Sequence, residues 1–225
     1  MVGSGNRKDF IMYHWVEDKE FLKRAQTDCS KTMKELEVRL REKYGINSQC
    51  FLVGSGGRNM ITQNGNEPID FDYNLNIISS RNWDGRYLKE SVIKAMNKIM
   101  NDQGLGTVSD STSTITTDSI YFKDNPNIEF SMDICIVCKG DDGNWHRLIH
   151  QKTGFTDLDQ YYWNMAPNSA EIAEKANYIK QYPGMWDKVR QEYLRLKNHY
   201  LQWNQHNHPS FVCYIEAVNN IYNQL

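Results

Sequence analysis

The stretch Phe51–Ile78, FLVGSGGRNMITQNGNEPIDFDYNLNII, decides how this chain is read. The run Phe51-Leu52-Val53 ends in Gly54-Ser55-Gly56-Gly57, a polar loop follows, and Asp70-Phe71-Asp72 opens a second apolar run. From Ile69 to Ile78 the residues alternate. Phe71, Tyr73, Leu75 and Ile77 fall on one face, and Asp70, Asp72, Asn74 and Asn76 on the other. A period of two over this length is the pattern of a half-buried strand whose polar face looks away from the core. Asp70 and Asp72 project from the same face at i and i+2, with β-carbons roughly 7 Å apart. Carboxylates at that spacing suit a hard divalent cation, Mg²⁺ or Mn²⁺. Such an ion prefers oxygen ligands, keeps several waters and takes further ligands from substrate phosphates.

A metal site of this kind needs a third acid. The apolar run Ile128–Val137 supplies Glu129 and Asp133. Ser131, Asp133 and Cys135 share one face of that strand, and Met132, Ile134 and Ile136 the other. Glu129 lies at the strand start, so Asp133 is the better placed. A carboxylate embedded in SMDICIV is costly unless it is paired or ligates a metal. Gly54-Ser55-Gly56-Gly57 lets backbone come close to a phosphate, and the Ser55 hydroxyl can donate to it. The loop is not a Walker A sequence, since no Gly-Lys-Ser/Thr follows, and Asn59 stands where a third glycine would complete GxGxxG.

A strand ending in Gly54-Ser55, then Asp70-Phe71-Asp72 on the next strand, then Asp133 on a later one, resembles the DNA-polymerase-β-like nucleotidyltransferase superfamily. The resemblance covers roughly Gln49 to Val137. It implies a mixed sheet flanked by helices and transfer of a nucleoside monophosphate from a nucleoside triphosphate, with release of pyrophosphate. By that likeness Asp70 and Asp72 bind two divalent ions, and Asp133 binds the catalytic ion and helps activate the attacking hydroxyl. Gly54 and Ser55 would hold the β- and γ-phosphates. Fourteen residues, Gly56 to Ile69, separate Gly-Ser from Asp70, more than many members have. Arg58–Gln63 is expected to form the usual short helix there, with Asn64-Gly65-Asn66 as an inserted turn. Members that make oligoadenylate or cyclic nucleotides are similar in this looser sense and are generally larger than this chain. The arginine-rich templating motifs of CCA-adding enzymes are not evident.

Working outward, 225 residues suffice for one sizeable domain, or one with a helical appendage. The net charge of −2 and pI near 6.3 argue against strong non-specific nucleic-acid binding. Mean hydropathy is −0.70, yet 12% of residues are aromatic, which a disordered chain would lack. The five cysteines are scattered. Cys135-Ile136-Val137-Cys138 matches CxxC, but residues three apart on a strand point to opposite faces and do not grip one metal. With no signal peptide and no long apolar span, the expectation is a cytoplasmic protein without membrane contact.

The remaining pattern predicts one helix over Glu17–Tyr44, continuous or broken near Asp28–Ser30, and a strand over Gln49–Val53. A helix follows over Tyr87–Met100, and one or two strands over Thr107–Phe122. A turn falls at Asn125-Pro126-Asn127, and a short strand around Trp145–Ile149. After Gly154 the pattern reads as helices only: Asp157–Trp163, Ser169–Gln181, Met185–Gln202 and Ser210–Leu225. The expected class is α+β: a mixed β-sheet nucleotidyltransferase palm flanked by helices, with a helical C-terminal layer. The expected domains are residues 1–153 and 154–225.

Other residues have both a functional and a plain reading. Arg58 would pair with phosphate or form a surface salt bridge. Lys175 and Lys180 would reach the triphosphate, or lie on a solvated helix face. Tyr161, Tyr162 and Trp163 would stack a base or pack between helices. His146 with His150, and His206 with His208, are weak metal candidates. The function that best fits is a Mg²⁺-dependent nucleotidyltransferase with a hydroxyl acceptor: a small molecule, a nucleotide, a protein side chain or an RNA end. The alternative is a catalytically weak nucleotide-binding regulator on the same fold.

Overall fold

The alternation of Ile69–Ser80 builds β4, the strand around which the rest is organised. Its residues run buried and open in turn from Ile69 to Ile77. The computed structural model describes residues 12–167, 170–203 and 209–225. Before β4 come β1 (Tyr13–Trp15), α1 (Lys19–Arg39), β2 (Ile46–Leu52), the one-turn helix α2 (Gly54–Gly57) and β3 (Thr62–Asn64). After it come α3 (Gly85–Gln103), β5 (Val108–Asp110), β6 (Ile115–Thr117), β7 (Ile120–Phe122), β8 (Asn125–Lys139), β9 (Trp145–Gln151) and β10 (Gln160–Met165). Three helices close the chain: α4 (Ala170–Ile179), α5 (Met185–Gln202) and α6 (Ser210–Tyr222).

The main sheet has the order β10-β9-β8-β4-β2, with β6 and β7 also pairing with β8, and β5 with β6. Only β4 and β8 run parallel; the other pairs in this sheet are antiparallel. The connection between the two parallel strands carries α3, as a parallel crossover requires. One face of the sheet is apolar: Phe71, Tyr73, Leu75, Phe130, Met132 and Ile134 are all buried. The rings of Phe21, Phe71, Phe122 and Phe130 meet there with centroids 5.3 to 5.9 Å apart. Each such ring contributes about 1.5–3 kcal/mol by leaving water. The other face carries Asp70, Asp72, Asn74 and Asn76.

Helix α1 starts at Asp18, whose Oδ1 accepts the Phe21 N–H at 2.8 Å. It runs unbroken through Asp28–Ser30 because Ala25, Cys29, Met33 and Leu36 continue its buried stripe across that point. The helix closes in a wider π-type turn, Leu40–Tyr44, and stops at Gly45 with φ +64°. Helix α3 is capped by the Asp84 carboxylate on the Tyr87 N–H and stopped by Gly104.

Four expectations need correction. Asp157–Trp163 is not a helix: a short 3₁₀ turn (Thr156–Leu158) leads into β10, which pairs with β9 residue by residue from Gln160 to Met165. The aromatic residues there alternate rather than recur at helical spacing, so the chain after Gly154 is not helical throughout. Asn125-Pro126-Asn127 is the start of β8, and the turn lies before it at Lys123-Asp124. Thr107–Phe122 forms three short strands instead of one or two. The helix after the Gly-Ser turn spans Gly54–Gly57, not Arg58–Gln63. Asn59, at φ +56°, turns the chain away, and Thr62–Asn64 then pairs antiparallel with β1.

The described residues form two compact units. The sheet unit comprises residues 17–59 and 68–167. The helical unit joins residues 12–16 and 60–67 to the three C-terminal helices. This division differs from a cut at 153/154 because β10 extends the sheet, and because β1 and β3 are tied to α5. The Tyr13 backbone exchanges hydrogen bonds with the Asn198 side chain at 2.7 and 3.0 Å. Lys197 Nζ donates to the Thr62 hydroxyl at 2.9 Å and lies over the Tyr13 ring. Val189, Leu196, Ala217 and Val218 fill the core of the helical unit. His206, His208, the N-terminal residues and the first turn expected at Ser169 lie outside the described residues.

Candidate active site

The parallel register of β4 and β8 places Asp72 beside Asp133, and Asp70 beside Ser131. Residues side by side in a sheet share a face, so the three carboxylates lie on one side of two adjacent strands. Asp70 is exposed, whereas Asp72 and Asp133 are half-buried.

Each acid has its own support. Asp70 Oδ1 accepts the Ser131 hydroxyl at 2.7 Å. Asp133 Oδ1 accepts a very short hydrogen bond from the Thr116 hydroxyl, and Thr116 is its register partner on β6. Burial pushes the Asp133 carboxyl above the usual carboxylate range; the Thr116 bond opposes this, and the nearby Asp70 charge adds to it. Asp72 is held through Gly54. Its carbonyl accepts the Val53 N–H at 2.8 Å. A β-carbon on Gly54 would lie 1.9 Å from Asp72 Oδ2, and Gly54 also has φ +60°. The position therefore requires glycine for both space and backbone conformation. The glycine was expected to admit a phosphate; in this structure it admits the Asp72 side chain.

The turn is closed from within. Arg58 Nη1 donates to the Gly54 carbonyl at 2.7 Å, and the Gly57 N–H donates to the Val53 carbonyl at 2.9 Å. Ser55 is half-buried beside them. Gly54, Ser55, Arg58, Asp70, Asp72 and Asp133 thus all belong to the sheet unit. Lys175 belongs to the helical unit, where Glu171 (2.6 Å) and Asn219 (2.9 Å) engage its ammonium group. Lys180 lies over the Trp186 ring at 4.4 Å.

His146 and His150 pair with acidic side chains, and Tyr161, Tyr162 and Trp163 lie on strand β10 instead of packing between helices. His146 lies 3.1 Å from Asp142, and His150 sits between Asp110 and Asp159. Tyr161 stacks on His150 with centroids 4.2 Å apart. Trp163 packs near Trp83. All five cysteines are free thiols.

Two hydroxyl residues support the acids without having been candidates from sequence. Ser131 shares the Asp133 face by simple alternation, so its place beside an acid was legible. Thr116 lies in a run of Ser and Thr read as strand propensity and turns; nothing local marks it as the partner of Asp133. Arg147 on β9 was also missed. It sits opposite Val137, on the acid-bearing face by register, and makes no ion pair among the described residues. Its positive charge opposes the burial that pushes up the Cys135 thiol.

The donor set is all oxygen and suits a hard divalent cation. Neither Asp70 nor Asp133 has a lysine or arginine within ion-pair distance among the described residues, and each hydroxyl bond occupies only one carboxylate oxygen. In this conformation the carboxylates follow their separate partners. Among the described residues no group of three or more His, Cys, Asp or Glu side chains converges on one ion position.

No family model matches the chain, and no curated protein matches it. Solved structures do match in fold. CdnC of E. coli MS115-1 with ATP has TM-score 0.53 and 15% identity, over 90% of this chain and 61% of that one. E. coli DncV in its 3′-deoxy GTP bound form has TM-score 0.54 and 11% identity, over 88% and 52%. The CdnE cyclic dinucleotide synthase of Elizabethkingia meningoseptica, with GTP and Apcpp, has TM-score 0.52 and 14% identity, over 94% and 78%. The chain thus spans less than two thirds of the first two. The likeness is one of fold, and it bears out the expected mixed sheet flanked by helices. No described helix is long and apolar enough to cross a membrane.

Proposed function

We propose that this chain is a nucleotidyltransferase that moves a nucleoside monophosphate from a nucleoside triphosphate to a hydroxyl acceptor, with release of pyrophosphate. One observation carries the reading: three carboxylates share one face of two adjacent strands, and among the described residues Asp70 and Asp133 have only hydroxyl partners. Negative charge gathered in this way calls for a cation from outside the chain. Asp70, Asp72 and Asp133 would hold Mg²⁺ or Mn²⁺. Bound there, the ions would neutralise phosphate charge and lower the barrier at the attacking and leaving oxygens.

The chain's own residues do the rest. Gly54 keeps the Asp72 carboxylate against the turn, and the Ser55 hydroxyl is available to a terminal phosphate. Arg58 braces the turn through the Gly54 carbonyl, beside the proposed phosphate position. Asp133 would also help activate the acceptor hydroxyl. Among the acceptors considered, a second nucleotide has the support of the fold likeness to a cyclic dinucleotide synthase.

The test is magnesium-dependent release of pyrophosphate from a mixture of the four ribonucleoside triphosphates, with products separated by chromatography. A nucleotide-linked product that disappears with chelator and in Asp72→Asn is the expected result. No product and no thermal shift with any triphosphate would sink the reading. Nucleotide binding without product would favour the regulator on the same fold.

A further inference from the structure

A second cluster of charge lies in the sheet unit, away from the three acids. Lys89 on α3 is 2% exposed. Its Nζ donates to the Ser111 carbonyl at 2.6 Å. It also lies 2.7 Å from Asp110 Oδ1, as an ion contact rather than an aligned hydrogen bond. Asp110 Oδ2 is 2.6 Å from His150 Nδ1, and His150 Nε2 is 3.0 Å from Asp159 Oδ2. The His150 backbone N–H donates to the Thr112 carbonyl at 2.7 Å. Lys152 Nζ donates to the Asp110 carbonyl at 2.5 Å.

These anchors converge on residues 110–112, the tip of the hairpin formed by β5 and β6. The next strand residues are Ile115 and Thr116, and they are the only two of β6 that pair with β8. On the far side of Thr116, the Thr117 hydroxyl accepts the Met132 N–H at 3.0 Å. The clamp at the tip holds the other end of this short ladder and so helps to set where Thr116 stands, and Thr116 holds Asp133.

We infer that Lys89, Asp110 and His150 are positioning residues for Asp133: they clamp the hairpin so that the Thr116 hydroxyl fixes one Asp133 oxygen and leaves the other for a divalent cation. The inference rests on the reading of the acids as cation ligands. Hydrogen-bond partners that orient a ligand carboxylate typically change metal affinity 10–100-fold when removed.

The experiment is a Mn²⁺ titration of the full chain with a non-hydrolysable ATP analogue, counting free ion by electron spin resonance. Thr116→Val weakens Mn²⁺ binding about tenfold, whereas Thr116→Ser, which keeps the hydroxyl, stays within about twofold. Asp110→Asn weakens it several-fold. Because Asp110 acts through Thr116, the double variant Asp110→Asn/Thr116→Val binds no more weakly than Thr116→Val alone. Unchanged affinity in Thr116→Val, or additive losses in the double variant, overturns the inference while leaving the metal site intact. A wild-type chain that binds no Mn²⁺ with the analogue overturns the metal reading and this inference together. If Asp110→Asn melts below the assay temperature, His150→Gln takes its place in the cycle.

Discussion

The sheet unit holds two groups of carboxylates, and they are built in opposite ways. Asp110 meets Lys89 and Lys152, so the chain supplies its counter-charge, and His150 bridges Asp110 to Asp159. Among the described residues, Asp70 and Asp133 meet only Ser131 and Thr116. Hydroxyls orient a carboxylate but do not neutralise it. The first group is complete within the fold and acts as a clamp. The second has carboxylate oxygens to spare, which the proposed function assigns to a cation. Acidic residues alone therefore do not mark the functional place; the kind of partner does.

The comparison can be broken most sharply at Asp72. Asp72→Asn should lower turnover about a thousandfold or more, on the order of 4 kcal/mol, with circular dichroism unchanged. Near-normal turnover would remove the acids from the chemistry. The clamp should respond in the other currency, stability. Lys89→Met leaves Asp110 in the fold without its buried cation. Loss of one partner of a buried pair costs about 3–5 kcal/mol, so the melting temperature should fall by about 10 °C. A smaller fall, near 1 °C, would mean that Lys152 and His150 suffice for Asp110.

Gly54→Ala tests the support of Asp72. The left-handed backbone alone costs about 1–2 kcal/mol. Displacement of the carboxylate by the new methyl group should lower turnover about a hundredfold, read in the same pyrophosphate assay. Asp133→Asn sharpens the contrast with the smallest effect. The Asp133 carboxyl holds its proton more tightly when folded than when unfolded. The cost of ionising it is absent below the unfolded pKa, grows as pH rises through the folded pKa, and is full above that. Wild-type stability therefore falls with rising pH across this interval. In metal-free buffer Asp133→Asn should melt a few degrees higher than wild type at pH 7, and the gain should vanish in acid. No gain at pH 7 would mean that Thr116 fully compensates the burial.

Much of this was legible in the chain. The alternation from Ile69 to Ile78 assigned a face to every residue of β4, and the helices ending at Gly45 and Gly104 followed from spacing and glycine. The same rule placed Asp133 and Ser131 on one face of β8. It did not show which strands are neighbours. Asp72 stands beside Asp133 only because β4 and β8 pair in parallel across a crossover, and residues 61 apart in the chain cannot announce that pairing locally. The misreadings have the same origin. Tyr161 and Trp163 were apolar enough to suit either a helix or a strand until β9 provided an edge. Arg58–Gln63 had no local reason to avoid a helix until β1 provided a partner for Thr62–Asn64.

The sequence by itself determined the acids, their strand faces and the glycine turn, because side-chain alternation and backbone freedom are local properties. Tertiary structure alone decided the partners: Thr116 for Asp133, Asp72 against Gly54, and the ion clamp behind the hairpin. Hydrogen bonds and charge pairs depend on distances of a few ångströms between distant segments, and only the packed sheet brings those segments within reach.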